Sequence, residues 1–220
     1  MSSQPIRTLG LGLLFLGLVP ACALTSKADA LAIRWYTPEN TRPRLTSAAT
    51  QGGVIAEDAL QVQLGRVTSG LNLREKIAYR DSTFEQGFYD DKRWTERPEV
   101  YVRRELERTL FEEHGFRRAL ASQAPALEVE VVAFEEVIGP GEAHSARVQL
   151  KVVVHDDHDA LLEKTFTVER PVAADPKGFA GVVQAMAQAL DAAAEEITTA
   201  TARAVRTNAQ TKASTTTLPK

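Results

Sequence analysis

Residues 127–170 read LEVEVVAFEEVIGPGEAHSARVQLKVVVHDDHDALLEKTFTVER, and the period of this stretch decides the fold. Leu127, Val129 and Val131 alternate with Glu128 and Glu130. Val148, Leu150, Val152 and Val154 alternate with Arg147, Gln149 and Lys151, and Phe166 and Val168 continue the pattern. Apolar residues at every second position with a polar opposite face predict half-exposed antiparallel strands. Gly139-Pro140-Gly141 and His155-Asp156-Asp157-His158-Asp159 fall between the strands, where Gly, Pro and Asp make turns.

Upstream, LQVQLGRV places Leu60, Val62 and Leu64 on one face with Gln61 and Gln63 on the other. EKIAYRDS (Ile77, Tyr79) and LAIRWYTP (Ile33, Trp35) are weaker strand candidates. Two segments switch to helical spacing. From Pro98 to His114, Val102, Leu106 and Leu110 recur every fourth residue, Arg103, Arg104, Glu107 and Arg108 face outward, and Gly115-Phe116 forms a C-cap. The second helix starts after Asp175-Pro176 and carries Phe179, Val182, Val183, Met186, Leu190, Ala193 and Ile197 on one stripe, with an Ala-rich body that favours helix. The order of elements predicts an α+β fold, a single antiparallel sheet with two helices packed on one face.

The N-terminus has a different character. Arg7 precedes the apolar run Thr8–Leu18, and no acidic residue occurs before Asp29, which is the layout of a secretory signal. Val19-Pro20-Ala21-Cys22 resembles a bacterial lipobox, in which the cysteine takes a diacylglycerol and becomes the first mature residue. Cys22 is the only cysteine of the chain, so no disulfide accounts for it. An ordinary signal peptide, or an uncleaved anchor over Thr8–Leu24, is the competing reading. The expected organisation is a lipoprotein signal peptide at 1–21, a tether at 22–30, one domain at 31–205 and a disordered, polar C-terminal tail at 206–220. Ala23 after the cysteine, in place of the Asp that favours inner-membrane retention in many Gram-negative sorting systems, implies the periplasmic face of the outer membrane.

Composition excludes some classes. The net charge of −3 becomes −4 when Arg7 leaves with the signal, and basic and acidic residues are interspersed, which is no nucleic-acid surface. Neither a Gly-x-Ser-x-Gly elbow, nor a phosphate loop, nor a cysteine–histidine pairing is found, so an enzyme is not expected. The cluster at 155–159 has the residue types of a metal site, but its place between two strands reads as a solvated turn, so no metal and no cofactor is expected. His114 at a helix end is expected to cap carbonyls, and His144 to sit on the surface. Trp94 and Tyr79, near a loop-to-helix junction, are expected to seal the edge of the core, with partner binding as the alternative.

These features together resemble a known family. The lipobox, Trp35-Tyr36, a strand ending EKIAYR (75–80), the tract FYDDKRWTERPEVYVRRELERTLF (88–111), three strands and an Ala-rich helix are similar to the ABC-type transport auxiliary lipoproteins, the PqiC-like group. The chain departs from that pattern over residues 37–58, a connection rich in Pro, Gly and Thr. The resemblance implies a non-catalytic envelope lipoprotein that accompanies an MCE-domain protein and an ABC permease/ATPase complex in moving lipids or other hydrophobic molecules between membranes. It also implies membrane attachment through acyl chains on Cys22. Helices on one face of the sheet would leave the other face open, which makes Glu130, Lys151, Gln149 and Arg147 the candidate partner-binding residues. A generic envelope lipoprotein holding a small hydrophobic ligand between sheet and helices is the alternative.

Overall fold

A computed structural model of the chain describes residues 31–39, 59–81, 84–119, 124–173 and 178–216. Its strands are β1 (Arg34–Tyr36), β2 (Gln61–Ser69), β3 (Lys76–Arg80), β4 (Gln86–Trp94), β5 (Arg117–Arg118), β6 (Ala126–Ile138), β7 (His144–His155) and β8 (Ala160–Pro171). Helix α1 (Pro98–Glu107) runs into a π-helical turn, Arg108–Glu113, and α2 spans Ala180–Thr216. The fold is α+β, as its alternating strands and two helical stripes imply.

The stretch 127–170 forms β6, β7 and β8, joined in antiparallel register with Val129 opposite Val152 and Leu150 opposite Phe166. The β6–β7 connection is a short 3-10 turn in which Gly141 takes φ 67°, a left-handed conformation that glycine adopts without Cβ strain. On its other side β6 pairs in parallel with two strands in succession: β2 beside Gln63↔Ala126 to Ser69↔Val131, then β3 beside Ala78↔Glu135 to Arg80↔Val137. Strands β2 and β3 therefore act as one strand interrupted by residues 70–75. β4 adds antiparallel to β3, and the short β1 and β5 add in parallel to β4 and β2. The sheet is thus mixed, mostly antiparallel by length, where alternation alone predicts an antiparallel one. Alternation fixes which face a side chain takes and is silent about the direction of the neighbouring strand.

Both helices cover the same face. Val102, Leu106 and Leu110 from α1 and its π turn, and Met186, Leu190, Ala193 and Ile197 from α2, join Leu127, Val129, Val131, Val148, Leu150 and Val152 in one buried core. Leu106 is fully buried, and truncating such a leucine to alanine costs about 2–5 kcal/mol. Gly115, φ 67°, ends the first helix as its sequence predicts, and the Phe116 N–H returns to the Leu110 carbonyl at 3.0 Å. The N-cap expected at Asp175-Pro176 lies outside the described residues. So do Cys22 and the 1–21 and 22–30 boundaries.

One expectation needs correction, and one strand goes unanticipated. Residues 206–216 belong to α2 and are not a disordered tail. The segment 86–94, which has no clear alternation, is the strand β4 between β3 and β1. Here Lys92 Nζ lies 4.0 Å from the centre of the Tyr89 ring, so a nominally polar residue packs as part of the sheet.

Candidate functional site: the open face of the sheet

Because the helices take one face, the strands present their polar residues on the other. Glu130 and Lys151 are register partners and both are exposed. Lys151 Nζ is 3.1 Å from Glu163 Oε1, and Gln149 Nε2 donates to Thr167 Oγ1 at 3.1 Å. Gln61, Thr68, Glu128, Thr165, Thr167 and Glu169 are exposed as well. Among the described residues, the four candidate residues Glu130, Lys151, Gln149 and Arg147 lie together on this face. The resulting surface mixes charges of both signs, which favours partner selection over raw affinity.

Arg147 has a second commitment. It donates to Glu135, through Nε at 3.1 Å and also through Nη2, and its Nη1 lies 3.8 Å from Glu169. Glu135 is fully buried and also accepts from Arg80 Nε at 3.1 Å and Gln86 Nε2 at 2.8 Å. Burial pushes its carboxyl upward, but the hydrogen bonds and charges of Arg147 and Arg80 outweigh this and hold it below the ordinary glutamate range. One carboxylate thereby clamps β3, β4, β6 and β7 beneath the open face.

Its neighbour Glu136, on the helix side, accepts from Tyr89 Oη at 2.6 Å and sits 2.5 Å from His144 Nδ1. Burial, followed by the Glu136 contact, pushes the Tyr89 phenol above its ordinary range. His144 is therefore tied to a buried acid and is no simple surface residue. Sequence reasoning passes over this pair, although Phe134-Glu135-Glu136-Val137 breaks the alternation in mid-strand and is the available signal.

Trp94 is fully buried, with its ring edge-on to Phe134 at 5.5 Å and to Tyr101 at 6.4 Å, so it is core and offers a partner no surface. Tyr79 lies across the strand from Gly87, so close that a Cβ on Gly87 would stand 2.3 Å from its ring. His114 pairs with Glu195 of α2 at 2.8 Å, where a carbonyl cap is expected, and Arg108, expected to face solvent, bridges Glu105, Glu113 and Asp191. These two contacts fasten α1 to α2.

At 155–159 the β7–β8 hairpin turns, as the sequence predicts. Asp156 Oδ1 accepts from the His158 and Asp159 N–H groups at 3.0 and 2.9 Å, and Oδ2 accepts from Asn208 at 3.0 Å and Lys212 at 2.8 Å. The carboxylate so occupied shapes the turn and docks the end of α2. Among the described residues no group of three or more His, Cys, Asp or Glu is placed to hold a metal ion, and no helix is long and apolar enough to cross a membrane. A cleft of about 440 Å³ opens between β8 and α2, lined in part by Leu161, Leu162, Ala200 and Ala204 with Lys164 and Arg203 beside them.

Comparison with known proteins extends the geometry. Residues 44–198 match the model of a family described as ABC-type transport auxiliary lipoprotein component. The crystal structure of protein XCC0632 from Xanthomonas campestris, a DUF330 protein, is similar at a TM-score of 0.62 and 18% identity, over 81% of this chain and 97% of that one. A second crystal structure, of an uncharacterized protein, is similar at 0.55 and 17% identity, over 63% and 90%. At these identities the likeness concerns the fold. No curated protein matches the chain.

Proposed function

The chain belongs to the ABC-type transport auxiliary lipoprotein family, and from that premise we propose that it is a lipid-anchored, non-catalytic adaptor of an ABC/MCE-type envelope transport system that moves lipids or other hydrophobic molecules between membranes. Acyl chains on Cys22 hold it to the periplasmic face of the outer membrane. Its open sheet face, centred on the Glu130–Lys151 pair, meets an MCE-domain partner that belongs to a complex with an ABC permease and ATPase. The observation that carries the reading is the family match over residues 44–198. The open face supports it, because a protein confined to one membrane meets its partner at raised effective concentration, and a weak polar contact is then well occupied.

The test has two arms. Cys22→Ser abolishes labelling by a radioactive fatty acid and leaves the precursor unprocessed; labelling that persists defeats the anchor. Affinity purification of the wild type from membranes brings down an MCE-domain protein and an ABC ATPase; a protein that reproducibly purifies without either defeats the adaptor. Fractionation chiefly to the inner membrane would overturn the outer-membrane assignment.

The second reading, a lipoprotein holding a small hydrophobic ligand, is favoured by the cleft between β8 and α2, whose volume lies within the range of ligand sites. Mass spectrometry of lipids extracted from the purified protein separates the two: stoichiometric ligand supports the binder, and its absence the adaptor.

A further inference from the structure

Strand β8 closes one border of the sheet. It pairs with β7 along Ala160–Pro171 and, among the described residues, with no strand on its other side. On the opposite border β2 and β4 are each partly covered, by β5 and β1. Along an unpaired edge every second residue turns its N–H and C=O outward, a template for another strand. The β7–β8 register sorts the side chains of this edge. Glu163, Thr165, Thr167 and Glu169 lie beside Val153, Lys151, Gln149 and Arg147 on the open face, whereas Leu162, Lys164, Phe166, Val168 and Arg170 lie beside buried Val154, Val152, Leu150, Val148 and Ala146 on the helix face. The open row thus carries only acids and hydroxyls, and the helix row only cations and apolar groups. On the helix side the edge borders the cleft of about 440 Å³, whose walls include Lys164 and, from α2, Arg203. Lys164 Nζ stands 4.6 Å from the centre of the Phe166 ring, and neither cation has a carboxylate partner among the described residues.

A second copy of the chain is a poor occupant of this edge. Two β8 strands joined edge to edge about an axis normal to the sheet keep every residue on its own face. Glu163 and Glu169 then meet only each other or neutral residues, and so do Lys164 and Arg170. No register of that pairing sets opposite charges side by side, several set like charges together, and like charges directly opposite destabilise. We propose that the outer edge of β8 accepts an extended segment of a different protein, which adds to the sheet as a further strand along the cleft, with an acidic side chain toward Lys164 and Arg203 and basic ones toward Glu163 and Glu169. The two cations weigh most, because Glu163 already has Lys151 at 3.1 Å and Glu169 has Arg147 at 3.8 Å. An apolar side chain opposite Leu162 falls against the Leu162 and Ala204 walls of the cleft. The backbone ladder supplies the attachment and the alternate side chains the selection, while the same charges keep copies of the chain apart.

The probe is the fluorescein-labelled peptide Val-Lys-Glu-Thr-Val-Thr-Glu-Lys-Val, written to face residues 162–170 and palindromic, so that either strand direction presents the same groups. The control peptide exchanges its lysines and glutamates and keeps the composition. The full chain, purified from membranes and held in phosphatidylcholine vesicles, is expected to bind the probe at least about tenfold more tightly than the control by fluorescence anisotropy, and the probe to slow deuterium exchange within 162–170. Lys164→Glu with Arg203→Glu is expected to reverse the preference at an unchanged unfolding midpoint. Equal binding of the two peptides, binding of neither, or protection confined to other segments overturns the inference. Protection of 162–170 that rises with protein concentration before any peptide is added assigns the edge to a second copy, and a co-purified lipid that protects it in the peptide's place assigns it to a lipid; either result overturns the inference as well.

Discussion

Replacing Glu135 by Gln keeps the shape of the side chain and removes the one charge that two arginines share. In the native protein Oε1 receives Arg80 Nε and Arg147 Nε, each at 3.1 Å, and Oε2 receives Gln86 Nε2 at 2.8 Å. A glutamine preserves an acceptor on one side only; its amide then faces the Gln86 amide, donor against donor. Charge-assisted bonds contribute about 1.5–3 kcal/mol each and neutral ones about 1 kcal/mol. The guanidiniums, with Arg80 at 26% and Arg147 at 23% side-chain exposure, retain a path to water that moderates the loss. The expected cost is about 2–4 kcal/mol at neutral pH, a large share of a total stability of roughly 5–15 kcal/mol. Urea unfolding followed by circular dichroism measures it. The pH dependence has a definite sign. Burial raises the Glu135 carboxyl, but its arginines lower it further, so its folded value lies below its unfolded one. The stabilisation is therefore complete above the ordinary carboxylate range and is lost as pH falls through the folded value. Gln does not titrate, so the gap between wild type and variant narrows toward acid. A variant within about 0.5 kcal/mol of wild type at pH 7, with a gap that does not change with pH, would refute the clamp.

Gly87→Ala drives a Cβ into the Tyr79 ring; the expected loss is about 1–3 kcal/mol in thermal unfolding, smaller when Tyr79→Ala is combined with it, and two additive losses would contradict the contact. Asp156→Ala removes the acceptor that docks Asn208 and Lys212, so the amides of residues 206–216 exchange faster with deuterium while the core amides keep their protection. In the wild type the Lys212 ammonium first, and the His158 and Asp159 N–H groups next, hold the Asp156 carboxyl well below its usual range; that depressed value means that docking is complete at neutral pH and loosens only in strong acid. Trp94→Ala empties a fully buried site and costs about 3–5 kcal/mol, so any loss of partner capture should track loss of fold, and capture lost by a stably folded Trp94 variant would contradict its core role.

The helices and the three strands of 127–170 are legible in the sequence because each buries one regular stripe. Gly115 is legible for the same reason, since only the end of a stripe needs a left-handed residue. The parallel pairing of β2 and β3 with β6 is not, because the partner's direction leaves no mark on the alternation. Strand β4 escapes because its charged run Asp90–Arg93 gains strand character only from Tyr89 and from the neighbours β1 and β3. The end of α2 reads as a tail because Thr, Asn and Ser are weak helix formers. A carboxylate about fifty residues upstream in the turn, Asp156, docks it, a long-range contact invisible to composition. Of the candidate site, the open face and the places of Glu130 and Lys151 on it follow from the pattern, whereas their pairing and the buried Glu135 beneath Arg147 required the cross-strand register.

That register also decides how the account is tested. Arg147 holds the clamp, and altering it would confuse stability with recognition, whereas Glu130 and Lys151 are exposed and free of such a role. The direct measurement is capture of the MCE-domain partner by acylated protein that carries Glu130→Lys and Lys151→Glu, with unfolding midpoint and fatty-acid labelling followed in parallel. Capture is expected to fall at least about tenfold, a difference of about 1.4 kcal/mol, while midpoint and labelling stay as in the wild type. Undiminished capture by the doubly reversed protein would contradict it, and capture lost instead on truncation after residue 205 in a still-folded chain would move the contact from the open face to the end of α2.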